Sequence, residues 1–230
     1  MGQHILAGNP PVPITLRHSP RARRISLRVS GLDGRVTLTV PRGVQEHEAL
    51  AFAHEKAGWL RAQLTSQPGQ ITVQRGSVIP LEGVLVEIAR GTGRGIRHEG
   101  ARLQVPGLDA TVPARVKAWL KGRARDRLAA ASDDHAARLG RSYSRLTLRD
   151  TRSRWGSCTA QGGLMYSWRL ILAPPEVLNY VAAHEVAHLA QMNHSPAFWA
   201  EVAALCPGYE EPRRWLRRNG AELHRYRFSS

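Results

Sequence analysis

His184-Glu185-Val186-Ala187-His188 places two imidazoles and a carboxylate within five residues of an apolar stretch. Leu178, Val181, Val186 and Leu189 make a mostly apolar helix around them, so these polar side chains enter an interior. At about 100° per residue, His184 and His188 stand about 40° apart and one turn along, and their rings can meet at one ion. Glu185 lies about 60° from His188, near a metal without being forced to bind it. A carboxylate so placed can take a proton from a metal-activated water and later pass it to a leaving amine. The plain alternatives are a buried His/Glu cluster without metal and a purely structural metal site. A closed structural site has no use for an unliganded carboxylate beside the ion.

Two histidines do not make a tight site, and His194 is the first candidate for a third ligand. On a continued helix it would stand roughly 9 Å beyond His188 and turned away, too far for bonds of about 2.1 Å. The spacing therefore predicts a helix break near 192–193. Asn193 can supply it in the left-handed conformation, and Ser195-Pro196 starts the next helix as N-cap and first-turn proline. The His184-x3-His188-x5-His194 spacing matches metzincins. Gln191 replaces their glycine, however, and no methionine follows Met192 to make a Met-turn. A glutamate is the rival third ligand, with Glu201, Glu210 and Glu211 available.

Outward from this segment, helices are predicted over 175–192, 196–205 and 212–219, the last starting at Pro212 and stopping at Gly220. Strands are expected at 146–148, 154–157 and 164–172, after a helix over 113–139. The first half is β-rich. Residues 25–29 and 36–40 alternate apolar and polar around Gly31-Leu32-Asp33-Gly34, a hairpin pattern. A helix follows over 45–65, then strands near 71–73, 84–89 and 102–105; Gly91-Thr92-Gly93-Arg94-Gly95 reads as a loop. The character changes after Pro106-Gly107. The expected organisation is α+β: a β-rich N-terminal region over 1–110 with one helix, and a domain over 111–230 that carries the HExxH helix.

Lys and Arg number 33 against 18 Asp and Glu, a formal net charge of +15. Such a field attracts polyanions, so nucleic acid is a possible partner. Arginines 17, 21, 23, 24, 28 and 35 are the cluster whose reversal would test such a partner. Cys158 and Cys206 make neither a disulfide framework nor a CxxC site and read as buried free thiols. Residues 1–20 have no apolar signal-peptide core, and no apolar run reaches 18 residues. The expected setting is cytoplasmic, without a membrane.

Several further segments share a pattern with the HExxH helix. Arg154-Trp155-Gly156-Ser157-Cys158, Trp168-Arg169-Leu170, Ala173-Pro174 and Asn193-His194-Ser195-Pro196-Ala197-Phe198-Trp199 together resemble the YgjP-like zinc metallopeptidases, a family related to SprT and WLM proteases. The basic hairpin near 21–40 and Gly58-Trp59-Leu60 extend the resemblance over most of the chain. It implies a small zincin-like domain, Zn2+ held by His184, His188 and His194, and Glu185 as catalytic residue acting on a peptide or protein substrate. In such peptidases an edge strand beside the metal pairs with the substrate, and Gly163 to Leu170 is the candidate. Trp155, Trp168 and Trp199 read as core. Arg169, Tyr209, His224 and Tyr226 are candidates for stabilising the oxyanion. The competing function is a nucleic-acid-binding protein with a structural or vestigial zinc site.

Overall fold

Alternating strands and amphipathic helices in one chain produce an α+β protein, seen in a computed structural model that describes residues 2–30, 34–65 and 69–228. Two compact units form, Met1–Gly69 and Gln70–Ser230. The division therefore falls at 69/70, whereas the change of sequence character lies after 107. Residues 73–105 bury their apolar side chains in the same core as the C-terminal helices.

The first unit contains β1 (Gly2–Leu6), β2 (Val12–Ser19), β3 (Ser26–Val29), β4 (Val36–Pro41), α1 (Glu46–Glu55) and α2 (Ala57–Thr65). Its sheet runs β1-β2-β4-β3, with β2 and β4 parallel and both outer pairs antiparallel. Period-two alternation sends Val12, Ile14, Leu16, Val36, Leu38 and Val40 to one face, against Ala49, Ala53 and Leu60 of the helices. The predicted β3–β4 hairpin is present; of its turn, Gly31, Leu32 and Asp33 lie outside the described residues. The helix expected over 45–65 is interrupted at Lys56, yet Leu60 N still bonds Lys56 O, so the buried stripe continues across the break.

The second unit begins with β5 (Ile71–Thr72), β6 (Val78–Leu81), β7 (Val84–Arg90), β8 (Arg97–Glu99) and β9 (Arg102–Val105). The last four form a sheet of order β6-β7-β9-β8. The β6–β7 hairpin turns through Glu82 (φ 48°) and Gly83 (φ 81°), the two left-handed positions a tight hairpin requires. That tip is anchored twice. Glu82 N bonds Ile171 O at 2.7 Å, and the Glu82 carboxylate takes Arg123 and Arg127 of the long helix α3 (Val112–Leu139).

Gly140 ends α3 in the left-handed conformation (φ 66°). There follow β10 (Arg145–Arg149), β11 (Gly156–Cys158) and β12 (Gly163–Ser167). β12 is central, parallel to β10 and antiparallel to β11. The stretch expected as one strand over 164–172 leaves the sheet at Ser167 and coils into a 3-10 helix over Trp168–Leu172, whose five side chains are all buried. That burial on every side gives a mainly apolar run, broken only by Ser167 and Arg169, which periodicity alone does not separate from a strand.

Next come α4 (Pro175–Ala187), α5 (Pro196–Leu205) and α6 (Glu210–Asn219), then a 3-10 turn over Gly220–His224 and β13 (Tyr226–Arg227), parallel to β5. Gly220 ends α6 where expected but stays right-handed (φ −58°). Its missing side chain serves packing, because a Cβ there would stand 3.0 Å from Trp155. Among the described residues, no helix is long and apolar enough to cross a membrane.

Candidate metal and catalytic site

α4 is the scaffold of the site. Val177, Leu178, Val181, Ala183, Val186 and Ala187 are buried in the core, which fixes the rotation of the helix and leaves His184 and His188 on one side. The helix ends at Ala187, five residues before the predicted break. Leu189 N and Ala190 N bond carbonyls three residues back, tightening the chain into a turn over 188–190. Asn193 is not left-handed, since the described non-glycine residue with positive φ is Glu82. Its Oδ1 instead accepts from Ser195 N at 3.2 Å, and the side chain turns the elbow that the backbone was expected to turn. Ser195 then caps α5 as predicted, its Oγ accepting from Phe198 N.

This elbow returns His194 to the face of α4. Ring nitrogens of His184, His188 and His194 lie within 4.8 Å of one another. Nε2 of His184 and Nε2 of His194 stand 3.2 Å apart. Two nitrogens at about 2.1 Å from one tetrahedral ion would be about 3.4 Å apart, so this spacing suits a shared cation. Gln191 O can only accept, so Nδ1 of His188 donates to it at 2.9 Å. The neutral His188 ring then keeps the lone pair of Nε2 free, the usual preparation of a metal ligand. Burial, then the neighbouring His188 and His194, push His184 down to about 3, and burial also lowers His188. Neutral imidazole is the ligating form. The rival glutamates Glu201, Glu210 and Glu211 belong to none of the metal-capable clusters among the described residues.

Phe198 supports all three rings. It is fully buried, with its centroid 4.4 Å from His188, 4.8 Å from His194 and 4.9 Å from His184. Trp199 stacks on His194 at 5.9 Å, and the Arg213 guanidinium lies 4.2 Å from the Trp199 ring centre. Both aromatics were visible in the sequence, but their contact with three histidines depends on the elbow.

Glu185 is 5% exposed, and burial raises its carboxyl to about 8 against the pull of Arg154. The carboxylate lies against Gly156 of β11, where a Cβ would stand 2.5 Å from both its Cγ and Oε1. β11 is thus the edge strand beside the site. The expected candidate, Gly163 to Leu170, is the central strand and then the 3-10 helix. β11 falls on the strand expected over 154–157, but nothing in its short sequence marks it as the edge beside the site.

The oxyanion candidates separate. Arg169 is consumed by Asp150 (2.6 and 3.3 Å) and by the carbonyls of Leu223 and Tyr226. His224 packs on Trp155 and Tyr226 is buried in the core. Tyr209 stacks on Trp199 at 5.4 Å and on Tyr180 at 6.3 Å, and both of those rings contact His184. Trp168 is fully buried as expected, while Trp155 and Trp199 pack against the core from partly exposed positions. Cys206 is buried and Cys158 half-buried, both free.

Compared with known proteins, the family model described as YgjP-like, metallopeptidase domain matches residues 23–219. No curated protein matches. Among solved structures, the crystal structure of the metallopeptidase zymogen of Pyrococcus abyssi abylysin is 24% identical, covering 41% of this chain and 93% of that one, with a TM-score of 0.34. So loose a superposition carries no weight for function.

Proposed function

The chain belongs to the YgjP-like metallopeptidase family, and from that premise we propose that it hydrolyses peptide bonds with Zn2+ held by His184, His188 and His194 and with Glu185 as general base. What supports this reading is the convergence of three histidine rings, two of them held neutral by burial, beside a buried carboxyl group that no other side chain engages.

When bound, zinc supplies a Lewis acid that makes water nucleophilic near neutral pH and polarises the scissile carbonyl. The protein's own groups do the rest. His188 is held in one tautomer by Gln191 O, and the Phe198 floor orients the three rings. The Glu185 side chain has no hydrogen bond to another described residue; burial favours its protonated form, and the charge of a bound cation would favour the carboxylate that takes a proton from the attacking water and delivers it to the leaving amine. The edge of β11 offers backbone groups for pairing with an extended peptide. Tyr209 is the oxyanion candidate whose stack reaches the histidines.

Two measurements test the proposal. Protein purified without chelator or added metal should carry about one zinc per chain. Glu185→Gln should keep that zinc and lose peptide cleavage; retained cleavage by this variant would refute the mechanism.

The net charge of +15 supports a location near a polyanion, and arginines 17, 21, 23, 24, 28 and 35 of the first unit are all exposed. We extend the proposal to a peptidase acting near nucleic acid. Binding should then weaken steeply with added salt; an affinity insensitive to salt would remove this extension. The two free cysteines suit a reducing cytoplasm.

A further inference from the structure

A cleft of about 580 Å³ opens beside the histidine cluster, with His188 in its wall. The segment after α3, with Arg141 and Ser142, and the β11–β12 turn, with Thr159 and Gln161, supply its other sides together with Met192. The two segments are bonded to each other, Ser144 N to Gly162 O and Ser144 Oγ to Gln161 O, both at 2.9 Å. The cleft is therefore a built feature of the sheet end.

Its chemistry is one-sided. Arg141 is exposed, and among the described residues its guanidinium has no ion-pair partner. No Asp or Glu lines the cleft, while Ser142, Thr159 and Gln161 add neutral hydrogen-bonding groups. Such a lining favours a negative side chain and disfavours a positive one.

Its place relative to the reaction follows from β11. Gly156 lies on Glu185, and Thr159 in the cleft wall is three residues further along. At about 3.3 Å per residue, the cleft starts roughly 10 Å along the edge from the general base. A peptide paired with β11 and centred on Glu185 must send a nearby side chain toward it. We propose that this cleft is a substrate subsite that selects Asp or Glu within three residues of the scissile bond, with Arg141 as the specificity-determining residue. The inference rests on the peptidase reading and adds the class of substrate.

The test uses the full-length, zinc-loaded protein and fluorogenic peptides in which each of three positions on either side of the cleavable bond carries Glu, Gln or Lys in turn. At one position Glu should exceed Lys about tenfold in kcat/KM. Arg141→Gln should remove that preference, and Arg141→Glu should reverse it there and nowhere else. Identical preferences in all three proteins would overturn the subsite. Fluorescence anisotropy of the same peptides on zinc-loaded Glu185→Gln, with and without Arg141→Glu, needs no turnover. Absence of cleavage together with an Arg141-dependent preference for Glu in binding strikes the peptidase reading and keeps the subsite. Absence of binding, or an unchanged binding ratio, strikes the subsite itself.

Discussion

Glu185 and Gly156 exclude one another's growth: a single methyl on Gly156 would stand 2.5 Å from both Cγ and Oε1 of Glu185. The glycine belongs to edge strand β11 and the glutamate to the helix beneath, so a strand position sets where the proposed general base lies. Gly156 lacks a positive φ, so the requirement is for space and not for an unusual backbone.

Gly156→Ala should therefore displace the carboxylate and spare the metal. The Glu side chain is the softer partner and swings aside, which costs about 10²-fold or more in kcat/KM if Glu185 is the base. Zinc content and thermal midpoint should change little. Wild-type activity in a zinc-loaded Gly156→Ala protein would show that the position of Glu185 does not matter.

The proposed third ligand has a different support. His194 is the exposed member of the triad, and Trp199 stacks on its ring with Arg213 over the indole. Trp199→Leu removes the stack, together with the tilted contact of the indole on His184, and leaves the α4 backbone and the Phe198 floor in place. Zinc affinity, measured by competition with a chelator, should fall about 10- to 100-fold, the usual scale for losing a group that orients a ligand. Unchanged affinity would mean that the Ser195-capped elbow and Phe198 hold His194 without Trp199.

The contrast between these two supports explains how much the sequence disclosed. HExxH announced itself because helix pitch converts spacing into geometry directly, and Ser195-Pro196 marked the start of α5 correctly. The helix end was misplaced because Asn193 works through its side chain, which residue type alone does not distinguish from a left-handed stop. Gly156 was legible as part of a motif but not as the neighbour of Glu185. That contact joins residues 29 positions apart and depends on the sheet order, which Leu164–Leu172 disguised by reading as one long strand.

Acid should weaken the fold through His224. Burial first, then the charge of Arg169, hold its pKa down to about 4, with Asp150 pulling the other way. The unfolded ring titrates near 6.5. As pH falls from about 6.5 toward 4, the unfolded chain binds a proton that the native chain refuses, so stability is present above this window and is lost on descending through it. His224→Gln removes that proton. The thermal midpoint of the wild type minus that of the variant should fall as pH drops from 7 to 4.5. A difference independent of pH would show that His224 does not carry the effect.

The hairpin tip at Glu82 sets the height at which α4 begins. Its backbone N bonds Ile171 O, a Cβ on Gly83 would stand 3.0 Å from Pro174 Cα, and its carboxylate joins Arg123 and Arg127 at 2.9 and 2.6 Å. Burial works to raise the Glu82 carboxyl, but the bonds from Arg127 and Arg123 outweigh it and lower the pKa. Glu82→Gln keeps the shape and removes the charge, leaving two arginines beside a half-satisfied amide. The expected loss is about 1–3 kcal/mol of unfolding free energy, read from urea titration. Because the folded pKa is depressed, the wild-type advantage should be full above about pH 4.5 and should fade on acidification below it. Glu82→Gly separates the two jobs of the residue: it also deletes the ion pairs but relieves the positive φ, so it should cost less than Glu82→Ala. Equal losses for Gly and Ala would place the whole contribution in the side chain.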